Sequence, residues 1–167
     1  GFAPGGLDAV VRRVEAEVAS GRVGAAALLV ARNRTILVEK GFGRLSRAPD
    51  AKPCQRDSIF LVASITKPVT VTALMKLVEQ GRVRLDDPPQ TYLPEFRGDG
   101  RERVTVRNLL THTSGLPDML PNNIELRKRQ APLKDFVAGA VHTPLLFAPG
   151  SRVSYQSMGT LLAAEIV

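Results

Sequence analysis

Residues 64–81, SITKPVTVTALMKLVEQG, limit what this chain can fold into more than any other stretch. Val71, Leu74, Met75 and Val78 recur at i, i+3, i+4 and i+7, the spacing of one helical face. Ala73 and Leu77 fall off that face, so burial on more than one side is expected. Gly81 follows the last periodic residue, where a left-handed C-terminal cap belongs. Pro68 lacks the N–H that a helix interior needs and must sit in or near the first turn. Together these limits predict one helix over 64–81, with Ser64 at its mouth and Lys67 one turn on, along the same face.

That geometry carries chemistry. A serine hydroxyl is a poor nucleophile until a neighbouring group takes its proton, and an amine of lowered basicity can do so. A helix N-terminus adds unpaired N–H groups and positive potential, which favour a developing anion. Ser64-Ile65-Thr66-Lys67 thus offers a nucleophile, an amine and one oxyanion donor, the Ser64 N–H. The bland alternative is a capping serine followed by a solvated lysine.

Composition sets outer limits. With 167 residues, 44% hydrophobic and 23% charged, the chain can bury one ordinary core. The net charge is +7, spread along the sequence. Arg127-Lys128-Arg129 is the nearest thing to a basic cluster, but no aromatic residues interleave with it, so no nucleic-acid partner is expected. A basic surface helps attract an anionic substrate. The longest apolar run, 23–31, is too short to span a bilayer, so no membrane span is expected. Cys54 is the sole cysteine, and the two histidines have no ligand-like spacing to carboxylates; neither a metal nor a cofactor is expected. The chain opens on Gly1, which leaves its compartment undecided.

In order, 1–6 is a Pro/Gly lead-in. Residues 7–20 read as an amphipathic helix with Leu7, Val10, Val11, Val14 and Val18 on one face, ended by Gly21. Residues 23–32 and 35–43 read as a β-hairpin around Asn33-Arg34. The first strand is apolar almost throughout, as expected if both faces are covered, while Gly41 and Gly43 weaken the second. A polar loop spans 46–57, and the apolar lead 59–63 is expected to hold Ser64 against the core. Leu85-Asp86-Asp87-Pro88-Pro89 is a turn, and Gly98-Asp99-Gly100 a loop tip. Thr105 is the expected N-cap of a short helix through Leu110. Further helices are expected over 122–130, 132–141 and 159–167, with a turn at Ala148-Pro149-Gly150 and an irregular 151–157. The expected division is a helix-and-hairpin part, 1–57, and a mostly helical part, 58–167, which carries the active-site helix.

Tyr155-Gln156-Ser157 follows the Pro-Gly turn and precedes a helix. A phenol beside an ammonium group loses its proton more easily, so this pair of hydroxyls can serve Ser64 and Lys67 as a proton relay. Alone, the tripeptide equally describes a core tyrosine. In sequence order, however, come Ser64-x-x-Lys67, Leu85-Asp86-Asp87-Pro88, Tyr92-Leu93-Pro94, Leu109-Leu110-Thr111-His112-Thr113-Ser114-Gly115-Leu116, Pro149-Gly150 and Tyr155-x-Ser157. This series closely resembles the serine β-lactamase-related family of class C β-lactamases, D-alanyl-D-alanine carboxypeptidases and family VIII esterases. The resemblance runs from about residue 23 to the end.

The resemblance implies an α+β fold of the β-lactamase/penicillin-binding-protein type: a helix-flanked antiparallel sheet, incomplete here, plus an all-helical region. It implies a serine hydrolase that acts through an acyl-enzyme on an ester, amide or β-lactam carbonyl. Ser64 would be the nucleophile, Lys67 its proton acceptor or electrostatic partner, and Tyr155 the general base or relay to the leaving group. His112, within T-H-T-S-G-L, would be structural support; no G-x-S-x-G surrounds any serine, so a triad of the α/β-hydrolase kind is not expected.

Two departures qualify this. Many relatives carry asparagine at the third tyrosine-motif position, where its amide contacts substrate; here the substrate-binding candidate is Ser157, which leans toward an esterase or peptidase-like relative. The family's third motif, Lys- or His-x-Gly, does not follow Tyr155. We therefore expect the front part of a longer protein, inactive alone, with the C-terminal strands in a missing segment that is carried by a separate chain after cleavage, disordered, or lost by truncation. The rival expectation is a non-catalytic protein of the same fold that binds a ligand or assembles.

Overall fold

A computed structural model describes residues 5–167; the first four residues of the lead-in expected over 1–6 lie outside the described residues. The chain divides into two units, Gly1–Leu61 and Val62–Val167.

In the first unit, α1 (Gly6–Ala19) packs on a hairpin of β1 (Ala25–Arg32) and β2 (Thr35–Gly43). Leu7, Val11, Val14 and Val18 are half-buried, whereas Val10, on the expected apolar face, is exposed. Asn33 and Arg34 both have positive φ, 49° and 65°, as a two-residue turn matched to the strand twist requires. Register pairs Ala26 with Phe42, Leu28 with Lys40 and Val30 with Val38, so these six share one face. That face meets α1, where Lys40 Nζ lies 2.7 Å from Glu15 Oε1.

One expectation about the hairpin needs correction. Burial alternates along β1, and on the opposite face Leu29 and Ile36 are 58% and 54% exposed. Among the described residues that face is left largely open except at Gly41, where the Cys54–Gln55 backbone crosses too close for any side chain. The second strand stays paired through Gly43.

In the second unit a single 3-10 turn, Ala63–Ile65, leads into α2 (Thr66–Glu79). The expected single helix from Ser64 is thus a tight turn and then a helix, with Pro68 in its first turn as its missing N–H demands. At the far end Gly81 (φ 70°) donates to Val78 O at 3.0 Å and Arg82 to Leu77 O at 2.9 Å, the paired bonds of a glycine-terminated helix. The buried stripe of α2 is Leu74 flanked by half-buried Val71, Leu77 and Val78. Met75 is 40% exposed and Val69 66%, whereas Ala73 and Leu77, off the expected face, are half-buried, so burial extends beyond that face on the Ala73–Leu77 side.

The remaining helices are α3 (Val106–Leu110), α4 (Asn123–Lys128), α5 (Leu133–His142) and α6 (Met158–Ile166). Thr105 caps α3 as expected, in a reciprocal pair with Asn108. Helix α6 packs on α2, α3 and α5. Its Leu162 joins a core with Phe96, Val104, Leu109, Leu116 and Leu126, and the adjacent Ala163 joins a second with Leu74, Val83 and Val106. Arg101 is buried too, its guanidinium donating to Gly98 O, Asp99 Oδ2 and Thr143 O at 2.8, 3.1 and 2.8 Å. Sequence gave no hint of that arginine's burial, because charge alone argues for the surface.

The neighbours Leu74 and Met75 separate the observed helix face from the expected one. Leu74→Ala should lower stability by about 2–5 kcal/mol. Met75→Ala should stay within about 0.5 kcal/mol, measured by denaturant unfolding.

Candidate active site

Two segments far apart in sequence build the site. The Ala63–Ile65 turn presents Ser64 to solvent, and the first turn of α2 presents Lys67. The other half is residues 151–157, which the resemblance placed near Ser64. The apolar lead 59–63 does not anchor the serine: Ile59 and Leu61 are 97% and 96% exposed. What holds the second half is backbone and side-chain bonding to the T-H-T-S-G stretch. Gly150 N–H donates to Thr113 O at 2.8 Å and Ser154 N–H to His112 O at 2.8 Å. The buried Gln156 side chain bonds Leu109 O, Ser114 Oγ and the Gly159 N–H, and the Gln156 backbone N–H donates to His112 Nδ1 at 3.3 Å.

With both halves fixed, Tyr155 Oη donates to Ser64 Oγ at 2.7 Å. Lys67 Nζ donates to Ser64 Oγ at 3.4 Å and to Ser157 Oγ at 3.2 Å, and lies 4.8 Å from the centre of the Tyr155 ring. The structure therefore brings all four candidate residues, Ser64, Lys67, Tyr155 and Ser157, together. The His112 ring lies 4.8 Å from the Tyr155 ring and supports it from the side. His112 Nδ1 accepts the Gln156 N–H, so this histidine is occupied in holding the tyrosine segment; His142 is exposed on the last turn of α5.

Three features escaped the sequence reading. Ala63 and His112, on the two sides of the site, have positive φ of 44° and 60°, a conformation that side-chain-bearing residues adopt at a cost of about 1–3 kcal/mol and that clusters at functional sites. Asp118 accepts both the N–H and the hydroxyl of Ser157, each at 2.8 Å. No spacing pointed to it, since it stands alone after Pro117. Beside Asp118 and Ser157 opens a cavity of about 350 Å³ with an apolar wall of Met119, Leu120, Phe136 and Leu161. Among the described residues, no group of three or more His, Cys, Asp or Glu side chains could hold a metal ion, and no helix is long and apolar enough to cross a membrane.

The Lys67 ammonium, and after it the Ser64 hydroxyl, hold the Tyr155 phenol below its ordinary range, against a weaker opposing effect of burial and of Asp118. Tyr92 goes the other way, pushed up by burial and by its bond to Asp87 Oδ2 at 2.7 Å.

The sequence matches the Beta-lactamase family over residues 10–167. The chain belongs to that family. It is 36% identical over 159 residues to esterase EstB of Burkholderia gladioli, an alignment covering 86% of this chain and 40% of the esterase. It is similar in structure to the D-amino acid amidase of Ochrobactrum anthropi SV3, with a TM-score of 0.77 and 26% identity over 93% of this chain and 42% of the amidase. A class C beta-lactamase in complex with cefoxitin shares the fold at a TM-score of 0.78, with 24% identity over 95% of this chain and 43% of that one. The α+β fold expected from the resemblance is thus the observed one, and the chain's relatives in the beta-lactamase family are hydrolases. The chain spans about two-fifths of the length of these relatives.

The two tyrosines of this chain should titrate apart. In phenolate absorbance, taken as the difference from Tyr155→Phe, the Tyr155 step should fall below the ordinary tyrosine value of about 10. The ammonium stabilises the phenolate, so Lys67→Ala should move that step up. The step removed by Tyr92→Phe should lie above the ordinary value.

Proposed function

We propose that the protein containing this chain is a serine hydrolase that forms an acyl-enzyme on Ser64, acting on an ester, amide or β-lactam carbonyl, with a carboxylic ester as its foremost substrate. The observation carrying this reading is that Ser64 Oγ lies between Tyr155 Oη at 2.7 Å and Lys67 Nζ at 3.4 Å. The 36% identity to an esterase supports the ester.

In this reading Tyr155, as phenolate, takes the Ser64 proton. Oγ then attacks the carbonyl carbon, and the carbonyl electron pair moves onto oxygen, where the Ser64 N–H stabilises it. Collapse breaks the bond to the leaving group, which receives the proton from Tyr155, and leaves an ester on Ser64. Water, deprotonated by the same phenolate, releases the acid and restores the serine. Lys67 keeps Tyr155 ionised and holds Ser64 in line. The apolar cavity beside Ser157 suits the hydrocarbon part of the acyl group. Since the chain spans about two-fifths of its relatives, this reading takes the second oxyanion donor from residues outside it and expects the chain alone to be inactive.

The test uses the full-length protein. A fluorophosphonate or penicillin should form a covalent adduct on Ser64, located by peptide mass. Ser64→Ala should abolish both the adduct and activated-ester hydrolysis; activity that survives the change rules the acyl-enzyme out. Tyr155→Phe should slow turnover by about 10²–10⁴-fold, the usual weight of a general base. Because the phenolate is the working form, the rate should rise with pH through the depressed Tyr155 value, and Lys67→Ala should shift that rise to higher pH.

A further inference from the structure

The Ser157 hydroxyl has its proton direction forced by its two neighbours. A hydroxyl has one proton and two lone pairs, a carboxylate can only accept, and an ammonium can only donate. Ser157 Oγ lies 2.8 Å from Asp118 Oδ1 and 3.2 Å from Lys67 Nζ. Its proton must therefore point to Asp118, which leaves a lone pair facing the lysine. Asp118 is itself clamped. The same carboxylate oxygen takes the Ser157 N–H at 2.8 Å, and the Asp118 carbonyl takes it at 3.3 Å, at the N-terminal end of α6, which favours negative charge.

We propose that Asp118 is a positioning residue: it fixes the Ser157 hydroxyl as an acceptor and, through it, holds the Lys67 ammonium against Ser64 and Tyr155. This rests on the roles proposed above for Ser64, Lys67 and Tyr155. It also accounts for a serine at a position where an asparagine is common. An amide oxygen accepts without a proton to place, whereas a hydroxyl needs a partner to draw its proton away. Without Asp118 the Ser157 hydroxyl rotates, the lysine loses an acceptor, and its long side chain is freer to leave the phenol.

The groups that face Tyr155 are Lys67 on α2, Ser64 before it, and His112 and Asp118 on the segment ahead of α4; of these Lys67 and Ser64 lower its titration and Asp118 raises it. A distant charge and a positioning role make opposite forecasts there. Asp118→Ala should raise the Tyr155 step, because the ammonium drifts. Asp118→Asn keeps an acceptor oxygen for the hydroxyl and removes only the charge, so it should lower the step. If both variants lower the step, or neither moves it, Asp118 acts only as a charge or not at all, and the proposal fails. This readout needs no turnover, so it stands even if the full-length protein hydrolyses nothing.

Kinetics in the full-length protein supply the second arm. Asp118→Ala should reduce kcat for an activated ester about ten-fold, the worth of a hydrogen bond to a charged group. KM should change less than kcat, since the loss falls on the placement of the lysine more than on the acyl cavity that Asp118 also lines. In a Ser157→Asn background, where the acceptor no longer depends on a neighbour, the same substitution should cost nothing further. An equal loss in both backgrounds would make Asp118 merely a cap of α6 and overturn its positioning role.

Discussion

The contact on which the site depends joins Ser64 and Tyr155, residues 91 apart in sequence with oxygens 2.7 Å apart. Closing so long a loop has an entropic cost that one hydrogen bond cannot offset. The cost is met away from the chemistry. Residues 150–154 are laid against His112 and Thr113 by backbone bonds, and the buried Gln156 side chain ties that junction to Ser114, α3 and α6. The T-H-T-S-G stretch therefore matters for where it puts Tyr155, and the histidine in it serves as a ring beside the phenol and an acceptor for the next amide.

Around that contact the charges have an order. The ammonium of Lys67 is flanked by Ser64, the Tyr155 ring and Ser157, and Ser157 leans on Asp118. Tyr155 is 54% exposed, so water screens much of the ammonium's effect, and the bias on the phenol comes from close contact more than from a dry interior. In the hydrolysis proposed above, a half-open site of this kind lets water enter as the second substrate.

Legibility in the sequence followed the range of the interactions. Helix α2 and its glycine end were readable because periodicity and a left-handed cap are local properties. So were the hairpin about Asn33-Arg34 and the Thr105 cap. Ser64 and Lys67 followed from helical spacing alone. Tyr155 did not; it became a candidate through the order of several motifs, because nothing local distinguishes a relay phenol from a core one. Asp118 was invisible, since its meaning lies in a hydrogen bond 39 residues away. Met75 was misassigned because a four-residue apolar rhythm does not say which of two neighbouring stripes the core takes, and α6 packs on the stripe centred on Leu74. The apolar lead 59–63 departs from expectation for a related reason: hydrophobicity predicts burial somewhere, without naming the surface that provides it.

Helix α6 begins where the tyrosine motif ends and drives Leu162 and Ala163 into two separate cores. Its first residues lie at the candidate site and its middle residues are the joint between the hydrophobic layers of the second unit. Such a helix cannot fray quietly while the rest stays folded. Loss of the Ser64–Tyr155 contact on heating and loss of the second unit's tertiary order should therefore be one event, and a variant selected only for a tighter interior would also stiffen the floor of that candidate site.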